Sequence, residues 1–320
     1  MEGSRWTDSR PWVLITAIAP VAWGTNYYVT REFLPSDHAL YGGAIRALPA
    51  GLLLLTLVRR LPRGAWWWRS ALLGVLNMGG FFTLVYIAAQ RLPTSVASTV
   101  MATAPLVMTL FAWLLVAERP RAAHLTGATV GFAGVFLMLG SSAQPVDTVG
   151  VLASAGAMGM SSLGYVLAKR WTQQGDVLAT TCWQLLAGGL LLLPVAVVVE
   201  GAPPPLSASA VAGFGYVSVI ATAVAFASWF GGLRRLPAST VGLIGLLNPV
   251  TGVLLGTLLA AETLSPVQLL GLALALAGVA LGRPGAGAGR RRPAFRRCVA
   301  APSTRPRRRA APRGRAGRAG

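Results

Sequence analysis

Apolar residues run along this chain in long blocks, broken at near-regular intervals by short stretches rich in Arg, Pro and Gly. A helix needs roughly 20 apolar residues to cross a hydrocarbon core about 30 Å thick. Ten blocks approach that length, at about 12–30, 40–58, 70–89, 95–116, 125–141, 148–168, 179–199, 210–230, 239–260 and 266–282. The pattern predicts an all-α integral membrane protein with ten transmembrane helices. The first block does not read as a cleaved leader. Glu2 and Asp8 accompany Arg5 and Arg10 ahead of it, and it runs on into the aromatic-rich WGTNYYV.

Composition agrees. Of 320 residues, 12% are charged and 54% hydrophobic, against about 25% charged in soluble domains. The net charge of +19 would point to nucleic acid if it were spread over a surface, but its distribution points to a bilayer. With a cytoplasmic N-terminus, the inside segments hold 12 Lys and Arg before the tail, among them Arg59, Arg60, Arg119, Lys169 and Arg235. The outside loops hold two, Arg31 and Arg91. This asymmetry predicts both termini on the cytoplasmic side of the cell membrane and an even number of spans. Thirteen arginines fall in residues 283–320, a segment made almost wholly of Arg, Ala, Pro and Gly. Such a segment cannot bury a core and is expected to be a disordered cytoplasmic tail. Contact with anionic lipid is one reading of it, and GC-rich coding sequence under little selection is the other. No nucleic-acid partner is expected.

One segment is written twice. LPTSVASTVMATAPLVMTLFAWLLVAE at 92–118 returns as LPASTVGLIGLLNPVTGVLLGTLLAAE at 236–262, with a constant offset of 144. Pro105 aligns with Pro249, Ser95 with Ser239 and Glu118 with Glu262; Gly127 and Gly134 align with Gly271 and Gly278. Weaker echoes relate Arg46 to Gln184 and Tyr28 to Tyr165. Each unit holds five predicted spans, an odd number, so the second is expected upside down relative to the first. Inverted repeats characterise secondary transporters, whose sites lie near the midplane between the halves. The expected organisation is a short N-terminus over 1–11, five-helix repeats over 12–141 and 148–282, and the tail. A duplication kept for packing alone is the other reading.

The WGTNYYVTR of span 1, the Arg46 helix, TAPLVMTLFAWLLVAERP and its echo NPVTGVLLGTLLAAETL together resemble the EamA domain. That is the ten-span, two-repeat branch of the drug/metabolite transporter superfamily. The resemblance implies two inverted five-helix repeats around a central cavity lined mainly by spans 1, 3, 4, 6, 8 and 9. It implies a secondary transporter working by alternating access, with export of amino acids or related small metabolites as the leading function. Alternatives are an uptake permease, a drug or sugar carrier of the same fold, or a membrane scaffold that transports nothing.

Several residues are candidates for the cavity. Trp23, Asn26, Tyr27 and Thr30 fall on one helical stripe. Asn77 and Tyr86 lie in span 3, Thr103 leads to Pro105 in span 4, and Ser161 and Tyr165 share a face of span 6. Trp229 lies in span 8, and Asn248 and Pro249 in span 9. A proline inside a helix frees backbone carbonyls, which is tolerated in lipid where they line a cavity; a static kink is the plainer reading. Single Ser and Thr residues more often pack between helices. Glu118 and Glu262, closing spans 4 and 9, are candidates for gating or proton coupling, or are helix-end carboxylates paired with a base. Arg46 is a basic residue well inside a span. Because the resemblance puts span 2 away from the cavity, it reads as a structural charge, with pairing to a substrate carboxylate the other possibility.

No Asp, Glu or His falls deep in a predicted span, and no phosphate-binding glycine loop or metal-ligand spacing occurs. No enzyme activity, cofactor or metal is expected, and transport should run on a gradient. The expected partners are a small-molecule substrate and the lipid bilayer. Gly127, Gly131 and Gly134, with Gly271, Ala275 and Gly278, mark close helix packing, within the bundle or in a homodimer.

Overall fold

The structure, a computed structural model, describes residues 3–116, 120, 122–140, 146–171, 176–236, 241 and 244–281. The predicted tail lies outside them, as do Glu118 and the Ser239 aligned with Ser95. Among the described residues all regular structure is helical.

Helix α1 spans Gly3–Phe33 and α2 Ala39–Val58. Helices α3 (Trp66–Gly74) and α4 (Gly80–Arg91) form one rod through a π-helical segment, Val75–Gly79. Next come α5 (Thr94–Ala102), α6 (Ala104–Val116), α7 (Ala122–Gly140), α8 (Thr148–Trp171) and α9 (Val177–Val199). A second composite rod joins α10 (Ala208–Gly215) to α11 (Ala225–Arg235) through a π-helical segment, Tyr216–Val224; α12 is Leu247–Leu258 and α13 Pro266–Leu281. Among the described residues, six helical stretches are long and apolar enough to cross a membrane. They are Ala39–Val58, Trp66–Arg91, Thr94–Leu115, Thr148–Trp171, Val177–Val199 and Ala208–Gly232. The chain is thus a multi-pass membrane protein. Its large exposed side chains, such as Leu14, Leu57, Phe136, Val198 and Leu258, suit a surface solvated by lipid.

Local sequence explains the helix ends. Asp176 accepts from the Leu178 N–H at 3.0 Å and Ser207 from the Ala210 N–H at 3.1 Å, each filling an N-cap. Ser265 and Gln268 form a reciprocal capping box around Pro266, at 2.9 and 3.2 Å. Asp147 accepts from the Gly150 N–H at 2.8 Å and pairs with Arg91 at 3.1 Å. The Gly150 amide, and then Arg91, hold its carboxyl below the usual range.

Packing joins the two halves of the chain helix by helix. Helix α2 lies on α9, α7 on α13, α4 on α8, α1 on α11 and α12, and α5 on α12. The α7–α13 contact is made by the doubled glycines. A methyl group on Gly134 would collide with the backbone of Gly271 and Ala275, and one on Gly278 with Gly127 and Gly131. The small-residue faces are therefore used inside the chain. Gly134→Leu should lower unfolding stability by about 1–3 kcal/mol through overpacking, read as a reduced melting temperature in detergent, whereas Gly140→Ala, beside open space, should leave it nearly unchanged.

Candidate functional site

A small cavity of about 10 Å³ lies where α1, α2, α4 and the second π-helical segment meet. That is room for about one water. Its wall is Asn26 and Thr30 from α1, Leu34 just after it, Gly42 and Arg46 from α2, Phe82, Val85 and Tyr86 from α4, and Val217. Gly42 is there because the Tyr86 ring fills the place of its side chain. The Tyr86 hydroxyl donates to the Pro35 carbonyl at 2.6 Å, and Gln90 donates to the Thr30 carbonyl at 2.6 Å and the Leu34 carbonyl at 3.2 Å. These bonds close the cavity at the end where α1 finishes.

Arg46 is buried in this wall. Its Nε donates to the Thr222 hydroxyl at 3.0 Å, and its guanidinium carbon lies 4.0 Å from the centre of the Phe82 ring. Thr222 in turn donates to the Val217 carbonyl five residues back, at 2.7 Å, the spacing of a π-helix. Among the described residues no carboxylate lies within ion-pair distance of Arg46. One hydrogen bond and a cation–π contact are worth about 1–3 kcal/mol together. Desolvating an ion costs several, so the guanidinium remains short of a counter-charge. Asn26 is 3% exposed and its Oδ1 is buried with no hydrogen-bond partner.

The resemblance implies that the second span stands away from the central cavity; Arg46 nevertheless lines the wall of this small one. The short segment between α1 and α2 brings the start of α2 against α4, so Arg46 lines the wall beside Asn26 and Tyr86.

Other candidates lie elsewhere. Trp23 and Trp229 meet, with ring centres 5.3 Å apart and Phe226 beside Trp23 at 5.6 Å. This aromatic cluster sits a helical turn before Asn26. Tyr27 is core; Asn77 donates to Gln184 at 2.8 Å and so ties the first π-helical segment to α9. Thr103 stands in the break between α5 and α6, donating to the Val100 carbonyl at 2.8 Å. Of Pro105 the structure describes the backbone, at the second position of α6. Pro249 is buried near the start of α12, after a turn at Gly245–Leu246. Both prolines thus open the second part of an interrupted helix. Asn248 presses its carbonyl towards Gly24 and leaves its buried Oδ1 without a partner. Ser161 bonds back to the Met158 carbonyl at 3.2 Å, and Tyr165 is 40% exposed.

Two carboxylates cap helices across the halves. Neither α2 nor α5 has a side-chain cap of its own. Glu200, at the end of α9, accepts from the Leu40 and Tyr41 amides at 2.7 and 3.0 Å. Glu262 accepts from the Thr94 and Ser95 amides and, at 2.6 Å, from the Ser95 hydroxyl. Arg31 lies 3.5 Å from Glu262. Glu118, its sequence counterpart, lies outside the described residues. Sequence reasoning missed Glu200; the signal was an acidic residue closing an otherwise uncharged helix.

The EamA-like transporter family matches this chain twice, over residues 10–140 and 148–282. The chain belongs to that family. Its relatives include protein PecM of Dickeya dadantii, 37% identical over 79% of this chain and 86% of that protein. An uncharacterized inner membrane transporter, YedA of Escherichia coli, is 28% identical over 82% and 87%. A probable terminal-alkyne amino-acid exporter of Streptantibioticus cattleyicolor is 27% identical over 84% and 92%. A solved crystal structure shares the fold, with a TM-score of 0.59, 23% identity and coverage of 85% of this chain and 96% of that one.

For this EamA-like chain the site makes a direct prediction. Thr222→Val leaves Arg46 buried without its hydrogen bond and should cost about 1–3 kcal/mol, measured as a lower melting temperature. Thr222→Ser should recover most of it, because the hydroxyl is restored.

Proposed function

We propose that the protein is a secondary transporter of the plasma membrane that exports amino acids or related small metabolites by alternating access. Ten spans form two inverted five-helix repeats, with both termini cytoplasmic. The observation that carries the reading is the pair of cross-repeat caps. At one end of the bundle, Glu200 and Glu262 of the second repeat close onto α2 and α5 of the first. The 144-residue register pairs Glu118 with Glu262 and Ser95 with Ser239. In an inverted repeat, the sequence counterparts of this closure are Glu118 and the segment around Ser239, which lie outside the described residues. Two closures that cannot both be open are what alternating access requires. Membership of a transporter family supports the transport class. The relative named as a probable amino-acid exporter supports the direction and substrate class, and the inner-membrane relative supports the location.

A cysteine replacing Arg119 should label only from the cytoplasmic side, and one replacing Thr263 only from outside. Labelling of both from one side would sink the inverted arrangement. In proteoliposomes loaded with a labelled amino-acid mixture, Glu262→Gln should slow efflux roughly tenfold, as expected for a weakened charge-assisted closure. An unchanged rate would remove Glu262 from the gate. No flux of any candidate through folded wild-type protein would count heavily against transport.

A further inference from the structure

The transport reading leaves open what the cavity recognises, and the chemistry of its wall narrows that. Among the described residues Arg46 supplies one positive charge with no carboxylate beside it, and a single hydrogen bond holds it, at its Nε. Asn26, on the same wall, offers a buried Oδ1 that accepts from nothing. The rest is largely apolar: Leu34, Phe82, Val85 and Val217. The wall therefore presents one anion receptor, one unmet acceptor and an apolar surround within one small space.

We propose that this cavity is the recognition site for an α-amino acid with an apolar side chain. The Arg46 guanidinium takes the carboxylate through its terminal nitrogens while Nε keeps Thr222. Asn26 Oδ1 accepts from the ammonium group, and the Leu34–Phe82–Val85–Val217 surface takes the side chain. The assignment rests on the transport reading above and deepens it. Alternatives fit less well on charge alone. A neutral sugar leaves the guanidinium without its counter-ion. A phosphorylated metabolite brings more negative charge than one guanidinium balances. An organic cation meets like charge. A carboxylate lacking an amino group satisfies Arg46 but leaves the Asn26 acceptor buried and unmet. The cavity now holds about one water's volume, so the amino acid enters only when the end closed by Tyr86, Gln90 and Glu200 opens. Binding is then coupled to the movement that transport needs.

The test uses the full-length purified protein in lipid nanodiscs, titrated with leucine and phenylalanine and three relatives of each. These are the methyl ester, the amine without a carboxyl group, and the carboxylate without an amino group. The free amino acids should bind tightest. Ester and amine should bind roughly 10- to 100-fold more weakly, the loss of a charged hydrogen-bonded pair. The deaminated carboxylate should fall between. Arg46→Gln should abolish discrimination between amino acid and ester, with Arg46→Lys retaining part of it. Asn26→Leu should erase the preference over the deaminated acid. Equal wild-type affinity for leucine and its methyl ester overturns the site, whatever the variants' folding. So does failure of both amino acids to bind. Either result leaves the cysteine-labelling test of alternating access standing, so the two readings fail separately.

Discussion

A helix that begins in apolar surroundings has backbone amides with no partner, and lipid offers none. In this protein that constraint is met across the repeats. Helices α2 and α5 lack caps of their own, and the carboxylates of Glu200 and Glu262 supply them from α9 and from the segment after α12. Each such cap is worth about 0.5–2 kcal/mol, more where charge meets the helix dipole. The second half thereby holds the starts of α2 and α5 in the first, and α2 lines the cavity through Gly42 and Arg46. Releasing them would unsatisfy several buried amides unless water reached them, so opening and hydration of that end go together.

The caps act on helices that are themselves interrupted. Helix α5 stops at Ala102 and α6 restarts at Ala104, with Thr103 between. A turn at Gly245–Leu246 precedes α12. Two further rods carry π-helical segments, at Val75–Gly79 and Tyr216–Val224. Interruptions and π-bulges cost hydrogen-bond geometry and are kept where they serve a site. Here the second π segment places Thr222 against Arg46, and the first places Asn77 against Gln184. Of the interrupted rods, two contribute to the cavity wall, through α4 and the second π-helical segment, whereas α7 and α13, which do not line it, meet as uninterrupted helices through Gly134, Gly271 and Gly278.

Much of this was legible in sequence because it follows from one-dimensional rules. Hydropathy located the apolar helices, and the 144-residue offset located the two copies of the domain. Glycine spacing marked the α7–α13 contact. The helical stripe of α1 placed Asn26 and Thr30 together. The partners of these residues were not legible, because partnership depends on how helices rotate. Asn77 resembles Asn26 in sequence, and both leave a buried Oδ1 without a partner among the described residues, yet only the Asn77 amide nitrogen is tied to another helix, through Gln184. Arg46 was read through a general view of the fold that set its helix apart. Its place in the wall of the small cavity goes with a local feature: Gly42, one turn before it, has no Cβ, and the Tyr86 ring occupies that space. Glu200 went unseen because capping across the repeats has no fixed spacing.

The unmatched charge of Arg46 connects these elements. A guanidinium held by one hydroxyl and one aromatic face is tolerated rather than satisfied, since those contacts return less than desolvation takes. The usual remedy in a protein core is a carboxylate, yet this chain spends two of its nine acidic residues on helix ends instead. Glu200 and Glu262 are held by backbone amides and, for Glu262, by Arg31. On the proposed reading, negative charge at the closure and positive charge inside would favour an anion-bearing guest. It also means that filling the cavity and holding it shut answer to different groups, so the first can change without undoing the second. A carrier that had neutralised Arg46 internally would gain stability in the empty state and lose the reason for an anion to enter.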